Sequence, residues 1–138
     1  MSFILDTCAV SELRKPKPDA GFLSWFNDVS ETDLFVSAIT LGEIEYGIGL
    51  LETGRNKDRL MSWFEKVKES FGPRTLPVNA KVALRWGELR SLAKRKGLSI
   101  PVVDGLLAAT AIECDYLFIT RNVGDFNGTG AKVFSPWN

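Results

Sequence analysis

Apolar and polar positions change period repeatedly along the chain. Phe3-Ile4-Leu5 is a short continuous apolar run, the mark of a buried strand, and Val10-Ser11-Glu12-Leu13 opens a short helix that stops before the loop Arg14-Lys15-Pro16-Lys17-Pro18. Phe22, Trp25, Phe26 and Val29 then recur at helical spacing. Leu34 to Ser37 reads as a second strand, and Thr40 is placed to N-cap a helix running to about Leu51, with Glu43 three residues on completing a capping box.

After the turn Glu52-Thr53-Gly54-Arg55-Asn56, the stripe Leu60, Phe64, Val67 and Phe71 predicts another helix. Thr75 to Val78 is a third strand, and Pro77 assigns it to an edge or an end. Val82, Trp86, Leu89 and Ala93 mark a further helix, closed by Gly97, and Pro101 suits the first turn of one reaching about Cys114. Tyr116 to Thr120 is the clearest strand of the chain, and Lys132-Val133-Phe134 suggests a last one. Strands alternating with helices predict an α/β domain: a mostly parallel central sheet of about four to five strands, with helices on both faces.

Composition narrows this picture in a few places. The 138 residues suit one domain over 1–138, with no repeat or linker, large enough to bury roughly two thirds of the unfolded surface. Hydrophobic residues at 45% and charged residues at 25% are those of an ordinary globular chain. The apolar stretch from Ile100 to Ile112 is broken by Pro101 and Asp104 and is too short to cross a bilayer, so no membrane association is expected. The first apolar run ends at Asp6 without a basic segment before it, which argues against a secretory leader. Cys8 and Cys114 form no C-x-x-C pair, so a reduced, cytoplasmic setting is expected and both are assigned as small buried residues.

Seventeen basic residues balance seventeen acidic ones, so any contact with nucleic acid must be local. Arg14, Lys15, Lys17, Arg85, Arg90 and Arg121 are candidates for phosphate contacts, unranked by sequence. Glu113 and Asp115 are expected to be solvated, and Glu45 to lie on a different helix face from Glu43.

The chemistry lies in four acids. Asp6 ends the first strand, Glu43 and Asp104 follow apolar segments at helix starts, and Asp125 lies in the loop after the clearest strand. One such carboxylate alone is ordinarily a cap or a solvated charge. In a parallel sheet, however, carboxyl strand ends and the first turns of the following helices share one edge, so the four can converge. Converging carboxylates raise one another's pKa unless a cation compensates, and the absence of histidine leaves oxygen donors suited to magnesium or manganese. Such a site supports phosphodiester hydrolysis.

The segments Ile4 to Thr7, Ser37 to Gly47, Ile100 to Ala111 and Thr120 to Phe126, in this order and spacing, resemble a PIN-domain ribonuclease of the VapC toxin family of type II toxin-antitoxin systems. The resemblance runs from Ile4 to Ser135-Pro136-Trp137. It implies a single PIN domain and a magnesium- or manganese-dependent endoribonuclease that cuts RNA, is usually homodimeric and is held inactive by a VapB-type antitoxin. It carries catalytic and metal-binding roles to Asp6, Glu43, Asp104 and Asp125, and supporting polar roles to Thr120 and Asn122. Antitoxins of such toxins commonly place a basic residue in the acidic cleft and apolar residues in a neighbouring groove. Two departures stand out: Cys8 occupies a place where many relatives carry asparagine, and Asn122 one where broader PIN nucleases often carry an acid. Two other readings are kept: a non-catalytic partner-binding module, and an aspartyl-phosphate phosphatase using Asp6, against which Cys8 stands where the second acid would be needed.

Overall fold

The computed structural model describes all residues from Met1 to Asn138. Five parallel strands form the sheet: β1 (Phe3–Leu5), β2 (Leu34–Ser37), β3 (Thr75–Leu76), β4 (Leu117–Ile119) and β5 (Val133–Phe134), in the order β3-β2-β1-β4-β5. β3 is an edge strand, as Pro77 predicts. Six helices connect them: α1 (Thr7–Glu12), α2 (Ala20–Asp28), α3 (Ala38–Gly49), α4 (Arg55–Phe71), α5 (Ala80–Arg95) and α6 (Val102–Cys114).

Side-chain alternation on the central strand divides the core in two. Phe3 and Leu5 point to the α1 to α4 side, where they join Val10, Phe22, Ile44 and Phe64. Ile4 points the other way and packs with Val82, Leu107, Ala108 and Phe118 beneath α5 and α6. A sheet covered on both faces needs apolar residues at every strand position, which is why the strands read as continuous runs rather than alternating ones.

Helix ends depart from the sequence reading where a strand feeds straight into a helix. α1 starts at Thr7, three residues earlier than the pattern Val10 to Leu13 suggests, because Asp6 itself is the N-cap. α3 is capped by Ser37, whose hydroxyl accepts the Ile39 N–H at 3.1 Å. The capping box at Thr40 and Glu43 therefore does not form. Thr40 is inside the first turn, fully buried, with its hydroxyl unpartnered, and Glu43 falls in the second turn. Ala38 and Ile39 look like strand continuation in sequence but are already helical. α5 ends as expected, with Gly97 at φ 74°.

One buried charge ties the end of the chain to its beginning. Glu12 is 2% exposed, faces the core side of α1, and accepts hydrogen bonds from the Asp19 N–H (2.9 Å), Lys15 Nζ (2.9 Å) and Trp137 Nε1 (3.1 Å). Asp19 in turn caps α2 through the Phe22 N–H and accepts the Asn138 N–H. Gly21 is required where these segments meet: a Cβ there would lie 2.7 Å from the Pro136 carbonyl oxygen. The Asp19 N–H bond, helped by those of Lys15 and Trp137, outweighs burial and holds the Glu12 carboxyl down at about 2, against an ordinary 4.5.

A depressed acid pKa means stability that is present above pH 4.5 and lost as pH falls towards about 2. Glu12→Gln should therefore lower unfolding free energy by about 2–3 kcal/mol at pH 7 and flatten the acid limb of the pH profile. Denaturant titration across pH measures both.

Candidate active site at the carboxyl edge of the sheet

Asp6 stands where β1 leaves the sheet and is held on both sides. Its main-chain N–H continues the ladder to Ile119 O at 2.9 Å, and Oδ1 accepts the Thr7 N–H at 2.8 Å as the cap of α1. Oδ2 accepts the Thr120 hydroxyl at 2.8 Å. Thr120 is fully buried at the end of the neighbouring β4 and receives the Asn122 N–H on the same oxygen at 3.1 Å. Asn122 thus contributes its backbone, while its side chain is exposed and forms no hydrogen bond.

Glu43, on α3, reaches across to α1, where Oε1 accepts the Thr7 hydroxyl at 3.0 Å. Asp104 lies in the first turn of α6, a helix with no side-chain cap, where a carboxylate complements the helix dipole. Asp125 is exposed on the 3-10 turn Val123–Phe126. Asp104 and Glu43 feel the neighbouring acids. Burial, then the charges of Asp125 and Asp6, push the Asp104 carboxyl up; burial, then Asp6 and Asp104, push Glu43 up against the opposing Thr7 hydrogen bond. The structure brings all four sequence-predicted acids to one edge.

Their donor set is oxygen throughout, and a cation there would relieve the mutual repulsion. No three acids or thiols stand close enough to enclose an ion by themselves. Magnesium needs no such cage, since it is held through one or two carboxylates and keeps several waters. The residues fit that kind of ion.

Two neighbours of Asp6 were not foreseen. Thr7 positions Glu43, and its signal was a hydroxyl directly after the strand-end acid. Cys8 was expected to be an inert buried residue and instead sits half-buried within the site. Its thiol donates to Asp6 Oδ2 at 3.7 Å, lies 3.8 Å from Thr120 Oγ1, and accepts the Arg121 N–H at 3.4 Å. Burial, with the Asp6 charge, pushes its pKa up despite that Arg121 N–H, so it remains a protonated donor. Elsewhere, Glu113 is not solvated as expected but binds Arg85 Nε at 2.7 Å. Asp115 is exposed, 3.4 Å from Lys132, and Glu45 is exposed.

Two concave surfaces lie on the α1 side. A cavity of about 290 Å³ runs from Thr7 and Glu43 past Arg14 to Trp63, with the Arg14 guanidinium 5.8 Å from the Trp63 ring centre. Trp63 is also a wall of an apolar groove of about 320 Å³ lined by Val10, Leu13, Phe26, Val67 and Phe71. The largest cavity, about 530 Å³ on α5 around Arg90 and Lys94, contains none of the four acids.

The PIN domain family model matches residues 3–129. The chain belongs to the PIN-domain family. Toxin FitB of Neisseria gonorrhoeae is 35% identical over 98% of this chain and 98% of its own. VapC ribonuclease Y4jK of Sinorhizobium fredii is 30% identical over 97% and 96%. The crystal structure of FitAcB from Neisseria gonorrhoeae superposes with a TM-score of 0.90 at 34% identity, covering 99% of each chain. The acid cleft therefore lies in a PIN domain aligned over nearly its full length. No helix of this domain is long and apolar enough to cross a membrane.

A carboxyl whose pKa is raised by its neighbours costs stability while ionised, and the cost disappears as pH falls through that raised value. Asp104→Asn in metal-free buffer should accordingly be more stable than the parent at neutral pH by about 0.5 kcal/mol. The difference should close as pH drops far enough to protonate Asp104. Thermal unfolding at a series of pH values follows it.

Proposed function

We propose that this PIN domain is the toxin of a type II toxin-antitoxin pair and a magnesium- or manganese-dependent endoribonuclease. The observation that carries the reading is the electrostatic coupling of Asp6, Glu43, Asp104 and Asp125 at one sheet edge, within a chain aligned almost end to end with a toxin and a VapC ribonuclease.

When bound, the divalent ion would supply Lewis-acid polarisation of the phosphoryl oxygen and ease deprotonation of the attacking water. Asp6 and Asp104 are assigned as its direct holders. Asp6 is suited to this because the Thr7 N–H, Thr120 hydroxyl and Cys8 thiol orient both its oxygens before any ligand arrives. Glu43, kept more basic than an ordinary glutamate by burial and by its acidic neighbours, is assigned to hold the ion or to orient the water and take up its proton. Asp125 closes the site from the β4 side, with the Asn122 backbone steadying Thr120.

The partner implied by the relatives is a VapB-type antitoxin. The apolar groove sharing Trp63 with the Glu43 cavity offers such a segment a route from buried apolar contacts to the acids. Exposed Tyr46, Leu50 and Leu84 on and beside α3 and on α5 provide apolar surface for a second copy, consistent with a homodimer.

Asp6→Asn tests the reading better than alanine, because asparagine preserves the α1 cap. It should abolish RNA cleavage and relieve growth arrest on expression, with an unfolding free energy in metal-free buffer within about 1 kcal/mol of the parent's. Thr120→Val, which removes the hydroxyl donor to Asp6 Oδ2 and leaves only the longer Cys8 contact, should lower cleavage or metal affinity by about 10–100-fold. Chelation should stop cleavage by the parent protein and magnesium should restore it. Full magnesium-dependent cleavage by the Asp6→Asn protein would sink the assignment.

A further inference from the structure

A cleft holding four carboxylates repels the polyanion it is proposed to cut, and a chain with no net charge has no general attraction to offset this. An ion held by the acids would act at the scissile phosphate only, so the flanking phosphates call for a side-chain cation beside the cleft. The structure separates the six candidates that sequence left unranked. Lys15 is paired with Glu12, and Arg85 with Glu88 and Glu113. Arg90 lies over Trp86 on α5, and Lys17 is in the exposed loop before α2. Arg14 leans on Trp63 beyond Glu43. Arg121 alone is fixed by its own backbone to the Asp6 side of the site: it follows Thr120 directly, and its N–H donates to the Cys8 thiol that contacts Asp6.

The Arg121 side chain is exposed, has no carboxylate partner, and lies over the Trp137 ring with its guanidinium carbon 5.6 Å from the ring centre. Trp137 is itself held fast. Its Nε1 donates to buried Glu12, and its ring packs against Phe22 at 4.8 Å between centres. A guanidinium held over an aromatic ring by cation–π attraction still has N–H groups available for a phosphate, and the contact reduces the rotamer freedom that binding would otherwise cost.

Resting on the ribonuclease reading above, we propose that Arg121 binds a backbone phosphate of the RNA beside the acid cleft, and that Trp137 is the positioning residue that presents its guanidinium. The carboxyl-terminal segment thus belongs to the substrate-binding surface. Through Glu12, its placement depends on α1, the helix that Asp6 caps.

The test uses the full chain with a fluorescently labelled, mixed-sequence single-stranded RNA oligonucleotide, in chelator so that binding is read without cleavage, over a range of KCl concentrations. Arg121→Ala should weaken binding about tenfold and reduce the slope of log K against log salt by about 0.7. Trp137→Ala, which keeps the charge but removes the platform, should weaken binding with the slope preserved, and Trp137→Phe should recover most of the affinity. In turnover with magnesium, Arg121→Ala should raise KM several-fold while kcat stays within about threefold. Because Arg121 is exposed, its alanine variant should fold normally. Unchanged affinity and salt slope in Arg121→Ala overturn the proposal. So does a variant that binds RNA like the parent but has lost affinity for the antitoxin, which would make Arg121 a protein contact. Arg121-dependent RNA binding by a protein that cleaves nothing would uphold this inference and remove the nuclease reading. Cleavage by a parent protein whose RNA affinity ignores Arg121 would do the reverse.

Discussion

Asp6 occupies a position where three structural demands meet. Its backbone is the last rung between β1 and β4, its Oδ1 caps α1, and its Oδ2 receives the buried hydroxyl of Thr120. The carboxylate accepts from the helix N–H and the hydroxyl at once, and these contacts fix its rotamer without any ligand. What surrounds it is arranged relative to it. Thr7, fixed as the first residue of the helix that Asp6 caps, turns its hydroxyl to Glu43. Thr120, fixed by Asp6, accepts the N–H of Asn122 and so sets the start of the turn carrying Asp125.

Order of this kind at Asp6 contrasts with the other acids. Asp104, in the first turn of α6, has no hydrogen-bonded partner, Asp125 is exposed, and Glu43 has the single bond from Thr7. Asp104 and Glu43 are the two carboxyls whose pKa is pushed up by burial and neighbouring charge. Repulsion is thus concentrated on groups that a cation would stabilise most, while the group with most hydrogen bonds sets the geometry. Preorganised orientation beside unrelieved charge is a common price of a site built for a charged ligand.

On the opposite side of α1, Glu12 performs a structural task with the same chemistry. Three donors surround it, so its carboxyl is held far below its ordinary range instead of above it. Two carboxylates six residues apart are therefore driven to different ends: Asp6 opens to the cleft edge and Glu12 locks the carboxyl terminus through Trp137. The Arg121 to Trp137 contact joins the two sides of the helix.

Sequence alone determined the order and approximate extent of the strands and helices, the edge position of β3 and the acids brought together at the sheet edge. Those follow from short-range physics: apolar periodicity, helix punctuation and the rule that parallel strands end on one side. Helix starts were misread at Thr7 and Ser37, because a strand that feeds directly into a helix leaves no polar break to mark the boundary. The hydrogen-bonding of Cys8, the burial of Glu12, the Arg85 to Glu113 pair and the separation of Arg121 from the other cations were decided only by tertiary structure. Each includes at least one contact between residues 28 to 125 positions apart. No local pattern encodes such pairs, since a thiol, a carboxylate or a guanidinium has the same propensity whether the fold supplies it a partner or leaves it to solvent.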